Sequence, residues 1–111
     1  MTPLELAQEQ LEAYNTRDLD RFCQVFSDDV ICYSLKDEKV LVNGMQEFRK
    51  TYEELFAASP NLHCRIDSRV DLGGFVIDKE YVTGRRGNTT IQAIAIYRMD
   101  GGKISRVWFI T

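Results

Sequence analysis

The sequence predicts an α+β domain in which helices cover one face of a curved antiparallel sheet. Apolar residues recur at helical spacing up to about residue 57 and then alternate with polar residues from residue 62 onwards. Pro60 separates these two halves, and turns that contain glycine divide the second half into segments of strand length. At 111 residues with an ordinary globular composition, the chain is expected to form a single domain over residues 1–111.

Three helices are predicted, and each begins at a polar capping residue. Thr2 and Glu5 have the spacing of a capping box, and Asp18 can cap a second, shorter helix. Asn43 and Gln46 have the spacing of another capping box. The two long helices are therefore predicted at about 3–15 and 44–57.

The predicted strands lie on both sides of the third helix. Gly73 and Gly74 fit a two-residue hairpin turn, which places Arg69 opposite Asp78 and Asp67 opposite Glu80. Because the helices can cover only one face of the sheet, the domain belongs to the α+β class. The strands are predicted at about 29–34, 40–42, 62–72, 75–84, 90–99 and 103–110.

The last two predicted strands are apolar on both faces. Ile94, Ile96 and Trp108 fall on the face opposite to Ala95 and Phe109, because side chains alternate along a strand. A sheet whose outer face is wet would carry polar residues there. The sequence therefore predicts a homodimer that buries the outer face through Ile94, Ile96 and Trp108.

Charge and composition exclude several classes of partner. With 14 Lys and Arg against 17 Asp and Glu, the chain has no basic stripe, and the pair Arg85 and Arg86 is interpreted as a solvated turn. No nucleic acid or membrane partner is expected, since the apolar runs are too short to cross a bilayer. Three cysteines without metal spacing and an N-terminus unlike a signal peptide predict a cytoplasmic protein.

The familiar motifs of cofactor and metal enzymes are missing. The sequence has no phosphate-binding glycine loop, no His-Glu-x-x-His and no Gly-x-Ser-x-Gly motif. A single histidine cannot build a multi-histidine metal site. We therefore expect no metal ligands and no cofactor.

Several segments together resemble the nuclear transport factor 2-like superfamily, in particular its SnoaL-like and steroid Δ-isomerase-like branch. They are 14–20, 26–30, Gly44, 75–78 and 101–104. The resemblance implies a cone-shaped domain whose curved sheet wraps around the helices and encloses a pocket. It also implies a dimer formed through the convex face of the sheet. These segments are mostly structural, so they support the fold better than any chemistry.

The resemblance to steroid isomerases does not extend to their catalytic residues. The place of the general base falls on Ser34, and the places of the oxyanion hole fall on Gln10 and Ala95. Only Tyr52 matches, as the supporting tyrosine of the third helix. Steroid isomerisation by this residue set is therefore excluded, although Gln10 and Ser34 still match pocket positions.

Asp78 and Glu80 are the candidate catalytic residues, because they lie two apart and so share one strand face. If that face lines the pocket beside the small side chains of Ala93 and Ala95, a half-buried carboxylate there would suit acid–base catalysis. The competing register, which the apolar alternation favours, leaves both carboxylates outside. It buries Phe75, Ile77 and Tyr81 instead. An ion pair between Arg69 and Asp78 is the simpler structural interpretation.

Three hypotheses for function follow. The first is binding of a small, largely hydrophobic or carbonyl-bearing ligand in the pocket. The second is a cofactor-independent lyase, isomerase or cyclase that uses Glu80 or Asp78, and the third is a dimeric interaction module with a vestigial cavity. The predicted ligand-binding residues are Gln10, Tyr14, Ser34, Tyr52, His63, Ala95, Tyr97 and Phe109.

Overall fold

The computed structural model describes residues 1–111 and contains three helices and six strands. In chain order these are α1 (Pro3–Thr16), α2 (Leu19–Gln24), β1 (Phe26–Ser34), β2 (Lys39–Asn43), α3 (Met45–Ala58), β3 (His63–Leu72), β4 (Phe75–Arg85), β5 (Thr89–Asp100) and β6 (Lys103–Ile110). Their order is the predicted one. None of the helices is both long and apolar enough to span a membrane.

The six strands form one curved sheet in the order β2-β1-β6-β5-β4-β3. All neighbours pair antiparallel except β1 and β6, which run parallel, so the expected antiparallel sheet needs that one correction. Helix α1 packs against β3 and β4, while α3 packs against β1 and β2. The helices thus cover the concave face only, which confirms the predicted α+β fold.

The helix caps agree with the sequence at α1 and differ at α3. The Thr2 hydroxyl accepts from the Glu5 N–H at 3.2 Å, and the Glu5 carboxylate accepts from the Thr2 N–H at 2.8 Å. The capping box predicted for α3 is wrong. Gly44 is the N-cap at φ 90°, and the Asn43 N–H donates to Glu47 at 3.0 Å rather than to the predicted glutamine. The glycine moves the helix start by one residue and so changes the spacing.

An aromatic cluster joins the helices to the sheet. Phe22 of the short helix α2 lies at the centre of this cluster and is almost fully buried. Its ring centroid lies between 4.7 Å (Tyr52) and 6.0 Å (Tyr14) from five other rings. Burying a phenylalanine side chain contributes roughly 1.5–3 kcal/mol. This cluster therefore stabilises the packing of the helices against the sheet. The five rings are those of Tyr14, Phe26, Phe48, Tyr52 and Phe56.

A bulge in β3 changes the predicted register. Arg69 pairs with Asp78 as predicted, but Ile66 and not Asp67 lies opposite Glu80. Asp67 is the extra residue of the bulge and lies exposed, where its carboxylate binds Arg65 at 2.8 Å. Because a bulge shifts the alternation by one residue, it places Arg69 on the concave face.

A second bulge lies near the end of β4. Val82 pairs with Ile91 and Arg85 pairs with Thr89, so β4 has one extra residue at Gly84. Gly84 has φ +66°, and a Cβ there would lie 2.1 Å from the carbonyl oxygen of Asn61. Only glycine fits this position, and the extra residue turns Arg85 towards the concave face.

An apolar row crosses the convex face of all six strands. We call this set the convex row, and each member pairs with the next across the sheet: Val40, Tyr33, Trp108, Ile96, Ile77 and Val70. Its ends are exposed, with 54% for Val40 and 58% for Val70. At its centre the Tyr33 and Trp108 rings stack at 5.4 Å. The face predicted to form a dimer is therefore apolar and has no cover within the chain.

Candidate functional site

A cavity of about 470 Å³ lies between the helices and the concave face of the sheet. Of the 24 residues that line it, 16 are hydrophobic. The lining residues that are exposed to solvent mark its rim, whereas Glu80 and Tyr97 lie at its buried end. A largely apolar cavity with a few polar groups is typical of small-molecule sites. The exposed lining residues are Asp37, Leu41, Thr51, Arg86 and Thr111.

Glu80 is the buried carboxylate of this cavity. Glu80 is only 9% exposed, and the hydroxyl of the buried Tyr97 donates a hydrogen bond to Oε2 of Glu80 at 3.2 Å. Burial and, to a smaller extent, the negative charge of Asp78 raise the pKa of Glu80 to about 7, although the Tyr97 hydrogen bond and the charge of Arg69 act in the opposite direction. Near neutral pH the carboxyl therefore exists in both protonation states, as acid–base catalysis requires.

Asp78 lies on the same strand face but does not line the cavity. Its carboxylate is fully buried and forms a bidentate ion pair with Arg69. Nε of Arg69 donates to Oδ1 at 2.6 Å, and Nη2 donates to Oδ2 at 2.9 Å. Arg69 also donates to the Gln8 side chain of α1 at 2.9 Å. The simpler structural interpretation of the Arg69–Asp78 pair is confirmed. The placement does not support a catalytic role for Asp78.

The register that the apolar alternation favours is wrong. Phe75 and Ile77 are exposed on the convex face, and Asp78 and Glu80 lie on the concave face. Alternation misleads here because the convex face carries its own apolar row, so apolar residues do not identify the inside of this sheet.

Six of the eight predicted ligand-binding residues line the cavity, and two do not. Ala95 is fully buried opposite Asp78 and does not line the cavity, whereas Ala93 on the same strand face does. His63 is exposed at the start of the edge strand β3. The six that line the cavity are Gln10, Tyr14, Ser34, Tyr52, Tyr97 and Phe109.

Three of these residues have polar groups with partners in the protein. The Gln10 amide donates to the carbonyl of Ala7 at 3.1 Å, and the Ser34 hydroxyl donates to Asp37 at 3.0 Å near the rim. Tyr97 is the only tyrosine whose hydroxyl hydrogen-bonds a protein group. The hydroxyls of Tyr14 and Tyr52 are therefore free to meet a ligand.

Tyr14 and Tyr52 are held in the neutral form. Burial raises the pKa of both hydroxyls, and the negative charge of Glu80 raises it further, whereas Arg85 lowers it. Both rings therefore lie within the fields of Glu80 and Arg85. A neutral phenol in such a site is a hydrogen-bond donor for an oxygen that becomes negative.

The sequence interpretation missed the positive charge of the cavity. Arg85 is the last residue of β4, where it is half-buried and lines the cavity, and Arg86 lies beside it at the rim. The prediction that Arg85 lies in a solvated turn is therefore wrong. Gly84 was the available signal, because a glycine inside a strand pattern marks a bulge.

The cysteines of the cavity are not reactive groups. Cys32 and Cys64 line it, and all three cysteines are buried and unpaired. Burial raises the pKa of Cys32 to about 12 and raises that of Cys64 as well. Both remain thiols, which are poor nucleophiles. The structure also brings no three His, Cys, Asp or Glu side chains together as metal ligands.

Comparisons with known proteins agree with this architecture. The family model of the SnoaL-like domain matches residues 7–107. An uncharacterised cystatin-fold protein from Novosphingobium aromaticivorans is 28% identical, with a TM-score of 0.90 over 100% of this chain and 99% of its own. A comparison with curated proteins finds no match.

Two further solved structures share the fold at lower identity. A proposed ketosteroid isomerase from Kribbella flavida is 15% identical, with a TM-score of 0.82 over 96% of this chain and 74% of its own. A proposed polyketide cyclase from Sinorhizobium meliloti is 13% identical, with a TM-score of 0.80 over 95% of this chain and 93% of its own. With the family match over nearly the whole sequence, the chain belongs to the SnoaL-like domain family of the nuclear transport factor 2-like superfamily.

Proposed function

We propose that the protein is a proton-transfer enzyme that acts on a small, largely apolar, carbonyl-bearing substrate. Its reaction would be that of an isomerase, lyase or cyclase, with Glu80 as the group that accepts and returns the proton. The observation that carries this proposal is the buried carboxyl of Glu80 beside a largely apolar cavity of about 470 Å³. Such a carboxyl has the desolvated setting that raises its basicity towards neutral pH.

The reaction uses groups that already line the cavity. The Glu80 carboxylate removes a proton from the carbon next to a substrate carbonyl, and the C–H electron pair becomes the enolate. Neutral hydroxyls of Tyr14 or Tyr52 donate to the enolate oxygen. Protonated Glu80 then returns the proton to another carbon or to a leaving group, which restores its carboxylate. Tyr97 keeps the carboxyl oriented through its hydrogen bond.

Ligand binding without catalysis is the second candidate, and the predominance of hydrophobic lining residues, 16 of 24, favours it. Both candidates require an open cavity. The third hypothesis, a dimeric interaction module with a vestigial cavity, predicts a filled one. The proposed polyketide cyclase shares the fold at 13% identity and therefore supports the scaffold, not the reaction.

Exchange of carbon-bound protons in heavy water tests the chemistry without knowledge of the product. Small cyclic ketones and β-keto esters are incubated with the protein in D₂O, and deuterium uptake next to the carbonyl is followed by NMR. We expect catalysed uptake for at least one compound and a loss of about a hundredfold or more in Glu80→Gln. The matched control Glu54→Gln alters an exposed glutamate of α3 and should exchange like the parent.

Ligand-induced thermal stabilisation with the same compounds separates the two candidates. Stabilisation without any exchange would leave binding alone and remove the enzyme proposal. We further propose a homodimer through the convex face and a cytoplasmic location, the latter because three free cysteines suit a reducing compartment.

A further inference from the structure

Arg85 is the half-buried charged side chain of the cavity that the proposed proton transfer does not use. It lines the cavity and is half-buried at the end of β4. None of the six ion pairs of the protein includes it. A guanidinium stays protonated at all physiological pH values, so the cavity contains a permanent positive charge without a carboxylate partner.

The other charges of the cavity do not neutralise Arg85. The charged groups that act on Glu80 are Asp78 and Arg69, both outside the cavity lining. The remaining acidic lining residue, Asp37, is exposed in the β1–β2 turn and accepts from Ser34. Arg86 adds a second positive charge at the rim. A half-buried charge beside apolar walls is stabilised by a partner of opposite sign.

The bulge at Gly84 places this charge inside. Without the extra residue, the alternation that brings Glu80 and Val82 to the concave face would turn Arg85 outwards. The close approach of Gly84 to Asn61 holds the bulge in position. Arg85 is thus built into the cavity by the backbone and is not a surface side chain that has folded over it.

We propose that the ligand of this cavity is a small, largely apolar carboxylic acid whose carboxylate pairs with Arg85. The planar guanidinium offers two parallel donors that match a carboxylate, and the hydrophobic walls accept the rest of the molecule. Phosphate esters fit less well, because they are usually bound by several backbone amides or by a glycine loop, and the cavity lining contains no glycine. This inference names the class of ligand for the proposed function. The acid site itself does not depend on that function, and only the statement that the acid is a substrate rests on it.

The positions of Arg85 and Glu80 also limit the shape of the acid. Glu80 pairs with Ala93 and Arg85 pairs with Thr89, which is four residues away on β5. The Cα atoms of Glu80 and Arg85 therefore lie roughly 13 Å apart at about 3.3 Å per residue. Glu80 lies at the buried end and Arg85 nearer the rim. The acid therefore enters with its apolar part first, and several bonds separate its carboxylate from the carbon that faces Glu80.

Paired probes test the carboxylate directly. Aromatic and alicyclic carboxylic acids, for example 2-naphthoic acid, are each compared with their primary amide by isothermal titration calorimetry at neutral to mildly basic pH. We expect the parent to bind at least one acid about tenfold or more tightly than its amide, since the ion pair is lost in the amide. Arg85→Gln should abolish this preference while amide affinity stays the same.

Three further variants complete the test. Arg85→Lys retains the charge and should retain part of the preference. It therefore keeps the proposal testable if Arg85→Gln does not fold. Arg86→Gln should change the preference less, because Arg86 is exposed. Glu80→Gln should retain the preference for acids even if it abolishes deuterium exchange. A failure of the acid-site proposal can therefore be distinguished from a failure of the proton-transfer proposal. The proposal is overturned if no acid binds more tightly than its amide, or if Arg85→Gln keeps the preference.

Discussion

Glu80 and Asp78 have the same charge and the same strand face, yet their neighbours give them different chemistry. Both carboxylate oxygens of Asp78 accept hydrogen bonds from the guanidinium of Arg69, so its charge is paired. Glu80 meets only the Tyr97 hydroxyl and the apolar cavity. The ion pair makes one carboxylate structural, and the missing ion pair makes the other a candidate proton acceptor.

The raised pKa of Glu80 predicts a pH-dependent stability. Its folded pKa of about 7 exceeds its ordinary value of 4.5, so the folded state binds more protons than the unfolded state between these values. Stability is therefore lost as pH rises through this window, by about 3 kcal/mol at most. Glu80→Gln removes this loss.

Urea unfolding of the parent and of Glu80→Gln at pH values of about 5 and 8 measures the effect. The variant should gain relative to the parent as the pH rises, and Glu54→Gln should not. A difference between parent and Glu80→Gln that stays constant with pH would contradict the raised pKa.

The ion pair between Arg69 and Asp78 should be important for folding. Arg69→Met leaves the buried Asp78 carboxylate without a partner, and we expect a loss of about 3–5 kcal/mol in the free energy of unfolding. The double variant Arg69→Met/Asp78→Asn should be more stable than Arg69→Met, because no unpaired charge remains. Arg65→Met breaks an exposed ion pair and should lose less than about 1 kcal/mol. Equal losses for Arg65→Met and Arg69→Met in urea would contradict this account.

At the scale of single elements, the bulges of β3 and β4 decide which arginines reach the concave face. Each adds one residue to a strand, and the alternation beyond it is reversed. The bulge in β3 brings Arg69 to Asp78, and the bulge in β4 brings Arg85 to the cavity. The two irregularities in strand pairing thus bring both half-buried arginines to the concave face.

Gly84→Ala tests the bulge of β4. Its Cβ would lie 2.1 Å from the Asn61 carbonyl oxygen and would also require a positive φ. We expect a loss well above the roughly 1–2 kcal/mol that left-handed backbone alone costs, together with the loss of any preference for acids. Gly87→Ala is the matched control, because Gly87 has φ +68° with nothing within 4 Å. Similar melting temperatures for the two variants would show that the close approach is unimportant.

At the scale of the whole molecule, the convex row has the composition of an interface. It runs across all six strands, and Ile77 near one end is 38% exposed. The predicted residues Ile96 and Trp108 form its centre, and Ile94 pairs with Ile110 beside it. Two copies that place these rows together would bury an apolar patch that monomeric proteins rarely expose.

Light scattering at tens of micromolar protein tests the dimer. We expect a dimeric parent, and a monomer for Ile77→Glu, whose side chain is exposed enough to tolerate charge in the folded monomer. Ile96→Glu should give a monomer or an unfolded chain. Leu4→Glu, an exposed site on α1, should stay dimeric. A monomeric parent would end the prediction.

The absence of a cofactor also remains a prediction for the whole molecule. It rests on the missing glycine loop and on the single histidine. Elemental analysis and absorption spectra of untagged protein should give far less than one metal ion or chromophore per chain. Stoichiometric metal that survives dialysis against a chelator would contradict it.

The sequence by itself determined the elements and their order. Capping residues, helical spacing and glycine turns are local signals, and they predicted three helices, the strand segments and the Arg69–Asp78 pairing of one hairpin. Six cavity residues were also predicted, because the resemblance to the family supplied the position of the pocket. The exclusion of the isomerase residue set likewise needed only the sequence.

The tertiary structure alone decided which face of β4 is inside and which charges reach the cavity. Alternation gives two faces but does not say which one meets the helices, and here both faces carry apolar residues. The two bulges then shift the alternation by one residue, an effect that depends on pairing with the neighbouring strand. Glu80 could therefore be chosen over Asp78, and Arg85 recognised as a cavity residue, only after the strands were paired, because their surroundings come from residues distant in the chain.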